Sequence, residues 1–335
     1  MIDLVDNRRS FLKKAVLGGA ALSLPGSVWA TAEVPKGKRV GLIGLDTSHS
    51  TAFTKSLNSP DASPDFAGYK VVAAYPYGSR DIESSTKRIP GYIEEVKKFQ
   101  VEIVDSIADL LKKVDVVLLE TNDGRLHREQ AIQVLKAGKR VFIDKPIAAS
   151  LADVAAIFAA SEKYKIPLFS ASSLRYIKGL ENIDKSQVVG ADTFSPATLE
   201  KTHPDFFWYG IHGVETLYTV MGTGCREVVR VHTEGTDIVV GTWADGRVGT
   251  FRGTRTGKHD YGGTVYTQSG PVKLGPYAGY DPLLKDIIRY FETGKVPVTP
   301  AETLEIFAFM EAADESKRQG GKPVTLESVL RKVTK

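Results

Sequence analysis

The sequence predicts an α/β protein: a doubly wound parallel sheet in the first half, then an α+β domain with an open, mostly antiparallel sheet. Three observations carry this. Apolar runs without alternation, such as Val114–Glu120, recur between helical stretches at βαβ spacing, the pattern of a parallel sheet covered on both faces. In the second half, Asp237–Trp243 and Arg247–Thr254 flank Ala244-Asp245-Gly246, a hairpin turn signal. The chain has 335 residues, 42% of them hydrophobic and 25% charged, enough for two domains of ordinary size.

Residues 1–30 stand apart from the fold. Arg8 and Arg9 precede an apolar run from Ala15 to Ala30, broken at Pro25-Gly26 and ending Val28-Trp29-Ala30. This reads as a signal peptide of the twin-arginine type, too short for a membrane anchor that needs about 20 residues. The mature protein is then periplasmic with no stable membrane anchor. The twin-arginine route carries folded proteins, which suits a cofactor loaded inside the cell.

Along the mature chain, Lys38–Leu45 is a short buried strand bounded by charge and turn residues. A helix starts near Ser48–Thr51, where hydroxyls serve as caps, and runs through Leu57. After a loop over 58–65, Tyr69–Tyr75 is the second strand. Ser106–Lys113 is helical, Val114–Glu120 a strand, and His127–Ala137 a helix closed by Gly138. Arg140–Ile143 is a strand that runs into Asp144-Lys145-Pro146, followed by a helix over Leu151–Lys163 and a strand over Ile166–Ser170. Gly262–Lys273 offers one or two further strands, and Asp281–Thr293 and Pro300–Gln319 are helices. The domains fall at 31–150 and 151–335, with the helix 151–163 and strand 166–170 still packing on the first sheet.

Net charge is only +4, with no basic stripe, so no nucleic-acid partner is expected. The single cysteine, Cys225, excludes an internal disulfide and a zinc cluster of cysteines. Asp46 and His49 stand three apart, but they make no convincing ligand set with His127 or His212, so no resident metal is expected.

From Val101 to Ser150 the chain resembles the glucose–fructose oxidoreductase / inositol dehydrogenase / MocA family. The resemblance rests on Asp115-Val116-Val117, Thr121-Asn122, His127 and the run Ala137–Pro146, where Asp-Lys-Pro stands for the family's Glu-Lys-Pro. Gly210-Ile211-His212-Gly213-Val214-Glu215 is similar to the family's Gly-x-His-x-x-Asp segment. The resemblance implies a Rossmann-like first domain, NAD or NADP as cofactor, and pairing of copies through the open C-terminal sheet; export implies that the cofactor is tightly bound, since free nucleotide is scarce outside the cytoplasm.

It also implies site residues. In the fingerprint G-x-G-x-x-G, Gly44 is the first glycine, whereas Asp46 and His49 replace the second and third. The carboxylate of Asp46 opposes a diphosphate, while Thr47, Ser48 and the helix N-terminus still offer donors. No acid follows the second strand; Ser79 and Arg80 there suit a 2′-phosphate or an exposed turn equally. Thr121 and Asn122 belong to the cofactor site, and His127 starts a helix beneath the cofactor or serves there as a cap. Lys145, beside Pro146 at the end of a buried strand, belongs near nicotinamide and substrate, with a cis Lys145–Pro146 peptide. His212 corresponds to the acid/base histidine, with a core histidine as the other reading of that stretch. Trp208 stands where relatives carry Asp, and Glu215 replaces the later Asp. Arg175, Trp208, Tyr209 and Glu215 are the substrate-side candidates, the aromatics serving as a sugar wall or as core.

Three functions fit these residues. The first is an exported NAD(P)-dependent oxidoreductase acting on a sugar, cyclitol or related polyol. The second is a glycoside hydrolase or lyase that oxidises transiently with bound NAD. The third is a non-catalytic sugar-binding protein on a decayed nucleotide fold.

Overall fold

The computed structural model describes residues 37–333. The predicted signal peptide lies outside the described residues. The first sheet is built from β1 (Arg39–Ile43), β2 (Lys70–Tyr75), β3 (Glu102–Ile103), β4 (Val116–Leu119), β5 (Arg140–Asp144) and β6 (Phe169–Ala171). Between them run α1 (Ser48–Asn58), α2 (Glu83–Lys97), α3 (Ile107–Lys113), α4 (Gly124–Lys136) and α5 (Leu151–Tyr164). The strand order is β3-β2-β1-β4-β5-β6, and every pair is parallel. The order reverses between β1 and β4, so the loops after those strands spread apart and leave a crevice at the carboxyl edge of the sheet.

Local chemistry sets the helix starts. Ser106, Asp123 and Ser150 each accept a hydrogen bond from a backbone N–H of the first turn that follows. Helix α4 therefore begins at Gly124 rather than at His127. Helix α1 is different: Thr47 stands at its N-cap with no side-chain bond. Its first N–H groups are left for something in the crevice. Helix α2 was not foreseen, because Pro90 lies inside it and proline removes a helical hydrogen bond.

The second sheet contains β7 (Val188–Pro196), β8 (Cys225–His232), β9 (Thr236–Trp243), β10 (Val248–Thr254), β11 (Gly262–Thr267), β12 (Gly270–Leu274) and β13 (Val324–Thr325). Its order is β12-β11-β7-β10-β9-β8-β13, antiparallel except for the parallel pair β7–β10. Helices α6 (Ile211–Met221) and α8 (Pro300–Arg318) cover one face, and α9 (Leu326–Val333) closes the chain. Strand β9 shows the alternation this requires: Asp237, Val239, Gly241 and Trp243 are buried and the residues between them are not. A side chain at Gly241 would meet Phe309 of α8 at 2.8 Å, so helix and strand touch there only because the residue is glycine. On the same inner side, Arg230 is buried against Asp205, Asp237 and Asp314 at 2.6, 2.8 and 2.5 Å. Arg255 and Lys317 join Asp237 and Asp205, so three carboxylates face three cations.

Helix α7 (Asp281–Thr293) returns to the first domain. Leu283, Leu284, Ile287 and Ile288 share one core with Val40, Leu42, Phe142 and Phe169. Long-range bonds hold it there, among them Tyr290 OH donating to the Pro167 carbonyl at 2.5 Å and Arg140 to the Phe291 carbonyl at 2.5 Å. Among the described residues no helix is long and apolar enough to cross a membrane.

Candidate active site

A cleft of about 190 Å³ lies at the carboxyl edge of the first sheet, over the start of α1. Thr47, Ser48, His49, Asn122 and Lys145 line it from the first domain. Ser173, Tyr209, His212 and the tyrosines Tyr261, Tyr277 and Tyr280 line it from the second. The two predicted chemical residues, Lys145 and His212, therefore face one space from opposite sides.

Lys145 directly follows β5, precedes a cis Lys145–Pro146 peptide and is 8% exposed. His212 sits in the first turn of α6, and its Nδ1 is 2.6 Å from the Ser172 hydroxyl. The rings of Tyr209 and Tyr261 stand edge-on to it, with centroids at 5.0 and 5.9 Å. Burial, reinforced by the charges of Lys145 and His49, pushes the His212 imidazole well below its usual range. It is a neutral base at physiological pH.

The opening turn keeps one glycine and rebuilds the others. Gly44 has φ +91°, and a Cβ there would lie 2.5 Å from the backbone of Thr121. The Asp46 side chain turns inward, fully buried, away from the cleft. Its Oδ1 accepts the Asn122 N–H at 2.9 Å. Its Oδ2 lies where a Cβ on Gly78 would come within 2.0 Å, so Gly78 supplies the room that Asp46 takes up. Burial raises this carboxyl to about 6, against the pull of its hydrogen bonds from Asn122, Ser85 and Ser79. The cleft face of the turn is left to Thr47, Ser48, His49 and to Arg88 of α2, whose guanidinium reaches the Asp46 carbonyl at 3.4 Å.

Beneath the cleft is a cluster that spacing did not reveal. His49 Nδ1 is 2.9 Å from Asp144 Oδ1 and 3.8 Å from Glu120 Oε2. Glu120 follows β4, Asp144 ends β5, and His49 opens α1, so three chain segments converge at the strand-order reversal. Glu120 is wholly buried and neither of its oxygens has a hydrogen-bond partner; Asp144 Oδ2 has none either. Burial and the neighbouring Asp144 push Glu120 well up. Against its own burial, Asp144 is held down by His49 and Lys145. Donor atoms of the two carboxylates lie within 4.8 Å of one another. Two full charges at such a distance repel by about 3–4 kcal/mol at an effective dielectric of ~20.

Several predicted residues are placed elsewhere. Ser79 is buried, donates to Asp81 at 2.6 Å and is not on the cleft, while Arg80 is exposed beside it. Asp81 and Arg125 tie this loop down. His127 is fully buried, its Nε2 2.6 Å from the Thr121 carbonyl; it braces the loop after β4. Thr121 lies behind Gly44 rather than on the cleft. Arg175 and Glu215 lie behind the cleft wall: Arg175 bonds Glu302 and pairs with Glu215 at 3.4 Å, and Glu215 accepts the Ser172 N–H at 3.0 Å. They position Ser172, and through it His212. Trp208 packs on His203 with centroids 4.9 Å apart and does not line the cleft. Tyr209 does. Tyr277 and Tyr280 were missed: they sit in an irregular loop and hold Ser173 and Ser48 at 3.0 and 3.1 Å. Tyr261 was missed as well, and its hydroxyl lies 3.3 Å from that of Tyr209.

A parallel sheet in this order, with a crevice at its carboxyl edge that Lys145 and His212 line from opposite sides, is the architecture of dinucleotide-binding proteins. Residues 38–171 match the glucose–fructose oxidoreductase / inositol dehydrogenase / MocA family model, described as an oxidoreductase family with an NAD-binding Rossmann fold. Residues 38–171 are thus similar to the NAD-binding Rossmann domain of an oxidoreductase family. A structure described as a probable dehydrogenase from Thermotoga maritima superposes with TM-score 0.69 at 20% identity, covering 87% of this chain and 99% of that one. The scyllo-inositol dehydrogenase of Lactobacillus casei, solved with NAD(H) and scyllo-inositol, gives TM-score 0.71 at 13% identity, covering 87% and 100%. The myo-inositol 2-dehydrogenase of Lactobacillus plantarum gives 0.67 at 16%, covering 87% and 99%. These likenesses extend the shared fold to the second domain. No curated protein matches the sequence.

The residues present fit a nicotinamide dinucleotide. The uncapped start of α1 aims N–H groups at the cleft, Arg88 and Lys145 add positive charge, and Asp46 is turned away.

Proposed function

We propose that the protein is an NAD(P)-dependent oxidoreductase acting on a sugar, cyclitol or related polyol, exported by the twin-arginine route and working as a homo-oligomer in the periplasm. The single observation that carries the reading is that Lys145 and neutral His212 line one cleft that also takes in the open end of α1.

When bound, the nicotinamide supplies the hydride acceptor. The chain's own residues handle the proton and the substrate. With Nδ1–H donated to Ser172, Nε2 of His212 is free to take the proton of a secondary hydroxyl. The Lys145 ammonium donates to the same oxygen and steadies its developing charge. Tyr209, Tyr261 and Tyr277 offer hydroxyls and ring faces suited to a polyol, and with Tyr280 they narrow access for water. The inositol dehydrogenases of the same fold support this substrate class.

Mass spectrometry of the small molecule released on denaturing natively purified protein is expected to find a nicotinamide dinucleotide. A panel of inositols and sugars should then reduce it. His212→Ala and Lys145→Ala should each lower kcat by about 10²–10⁴ while nucleotide stays bound. Absence of both released nucleotide and calorimetric binding of NAD and NADP would sink the reading. Aglycone release from glycosides without net reduction would replace it with transient oxidation.

A further inference from the structure

We propose that His49, Glu120 and Asp144 form a site for one divalent transition-metal cation of the zinc or manganese type, buried beneath the cleft at the carboxyl ends of the central strands. The site is unrelated to sequence spacing: His49 and Asp144 are 95 residues apart and meet only in the fold.

Geometry supports it first. Two ligands held about 2.1 Å from a common ion lie roughly 3 Å from each other. His49 Nδ1 and Asp144 Oδ1 are 2.9 Å apart, His49 Nδ1 and Glu120 Oε2 3.8 Å, and all three donor atoms fall within 4.8 Å. Small side-chain rotations close the set around an ion. The partners of Glu120 provide the second support. Both its oxygens are buried without a hydrogen bond, and Oε2 faces the His49 nitrogen across a gap too long for one. A buried carboxylate with no donor is rare unless something else satisfies it. The third support is the shell around the ligands. The Lys145 backbone N–H fixes Asp144 Oδ1 at 2.8 Å, and Tyr280 and Phe53 hold the His49 ring at centroid distances of 4.5 and 5.8 Å.

The donor set selects the ion class. One imidazole and two carboxylates, without sulfur, favour zinc or manganese over copper(I); the nitrogen ligand disfavours calcium and magnesium. Among the described residues, His49 and the Lys145 ammonium, 3.9 Å from Asp144, stand against the two carboxylates, and a dication offsets them further.

The test uses the full chain stripped with chelator and titrated, without nucleotide, with Mn²⁺ and with Zn²⁺. It is therefore independent of the oxidoreductase reading. Calorimetry is expected to show one equivalent bound, with a rise in the melting temperature. Glu120→Gln keeps the shape and removes only the charge; it should fold, shown by its metal-free melt, and bind at least about tenfold more weakly. Pulsed electron paramagnetic resonance of the Mn²⁺ form should show nitrogen coupling that His49→Asn abolishes. No saturable binding of either ion, or equal binding in wild type and Glu120→Gln, overturns the proposal; His49, Glu120 and Asp144 are then a proton-sharing ion cluster.

Discussion

At the residue scale, position 46 shows how a lost motif residue is accommodated. The missing glycine was legible in the sequence; its remedy, the bare Cα of Gly78, was not, because the two meet only through the fold. Removing the carboxylate should favour a bound diphosphate. A unit charge about 4 Å from another costs ~1 kcal/mol in water and ~4 at an effective dielectric near 20. The Asp46 carboxylate is turned away from the cleft, so Asp46→Gly is expected to tighten NAD binding by less than about tenfold, measured by calorimetry. Unchanged or weaker binding would mean that the inward carboxylate lies beyond reach of the diphosphate. The structure puts Lys145, His212 and Tyr209 on the cleft, because strand ends and a recognisable segment fixed where they fall. Arg175 and Glu215 could not be placed from pattern alone. Both follow the right elements, but their charges satisfy each other behind the wall.

At the element scale, most strands and helices were readable, the helices by their period and the buried parallel strands as short unbroken apolar runs. Helix α2 was not, since Pro90 breaks the local rule while Ile89 and Val96 still anchor it. The loop tyrosines had no period to betray them. Helix α6 bears a testable electrostatic consequence. Burial raises the carboxyl of Glu215 from 4.5 to about 7, more than Arg175 and the Ser172 N–H lower it. Below about pH 4.5 the group is protonated in both folded and unfolded chains. Between there and about 7 the folded protein keeps a proton that the unfolded chain has lost. Its contribution to stability is present at low pH and falls as pH rises, by about 2–3 kcal/mol. Urea unfolding at about pH 5 and about pH 8 should show that fall, and Glu215→Gln should flatten it. A slope unchanged by Glu215→Gln would assign the effect to another carboxyl.

At the scale of the whole molecule, the second sheet has one face covered by helices and one left open. By strand register, Phe194, Tyr266, Val248 and Val231 lie on the open face, and each is between 38% and 59% exposed. An apolar face of this kind is suited to a second copy. Light scattering is expected to report an oligomer for wild type and single chains for Phe194→Asp with Val248→Lys, with the circular dichroism spectrum unchanged. A wild type already at the mass of one chain would rule out this mode of assembly.

The return of α7 across the boundary has a mechanical meaning. The chain leaves the nucleotide half, builds the other half and then comes back to finish the first, so neither half is a closed parcel of sequence. Cutting the chain before Asp281 strips Leu283, Leu284 and Ile287 from Val40, Leu42 and Phe142 and leaves bare one side of the sheet that supports Lys145. A protease nick in that stretch should unravel both halves together rather than release a durable amino-terminal fragment. For the same reason, three crossings of the chain resist a wide swing between halves.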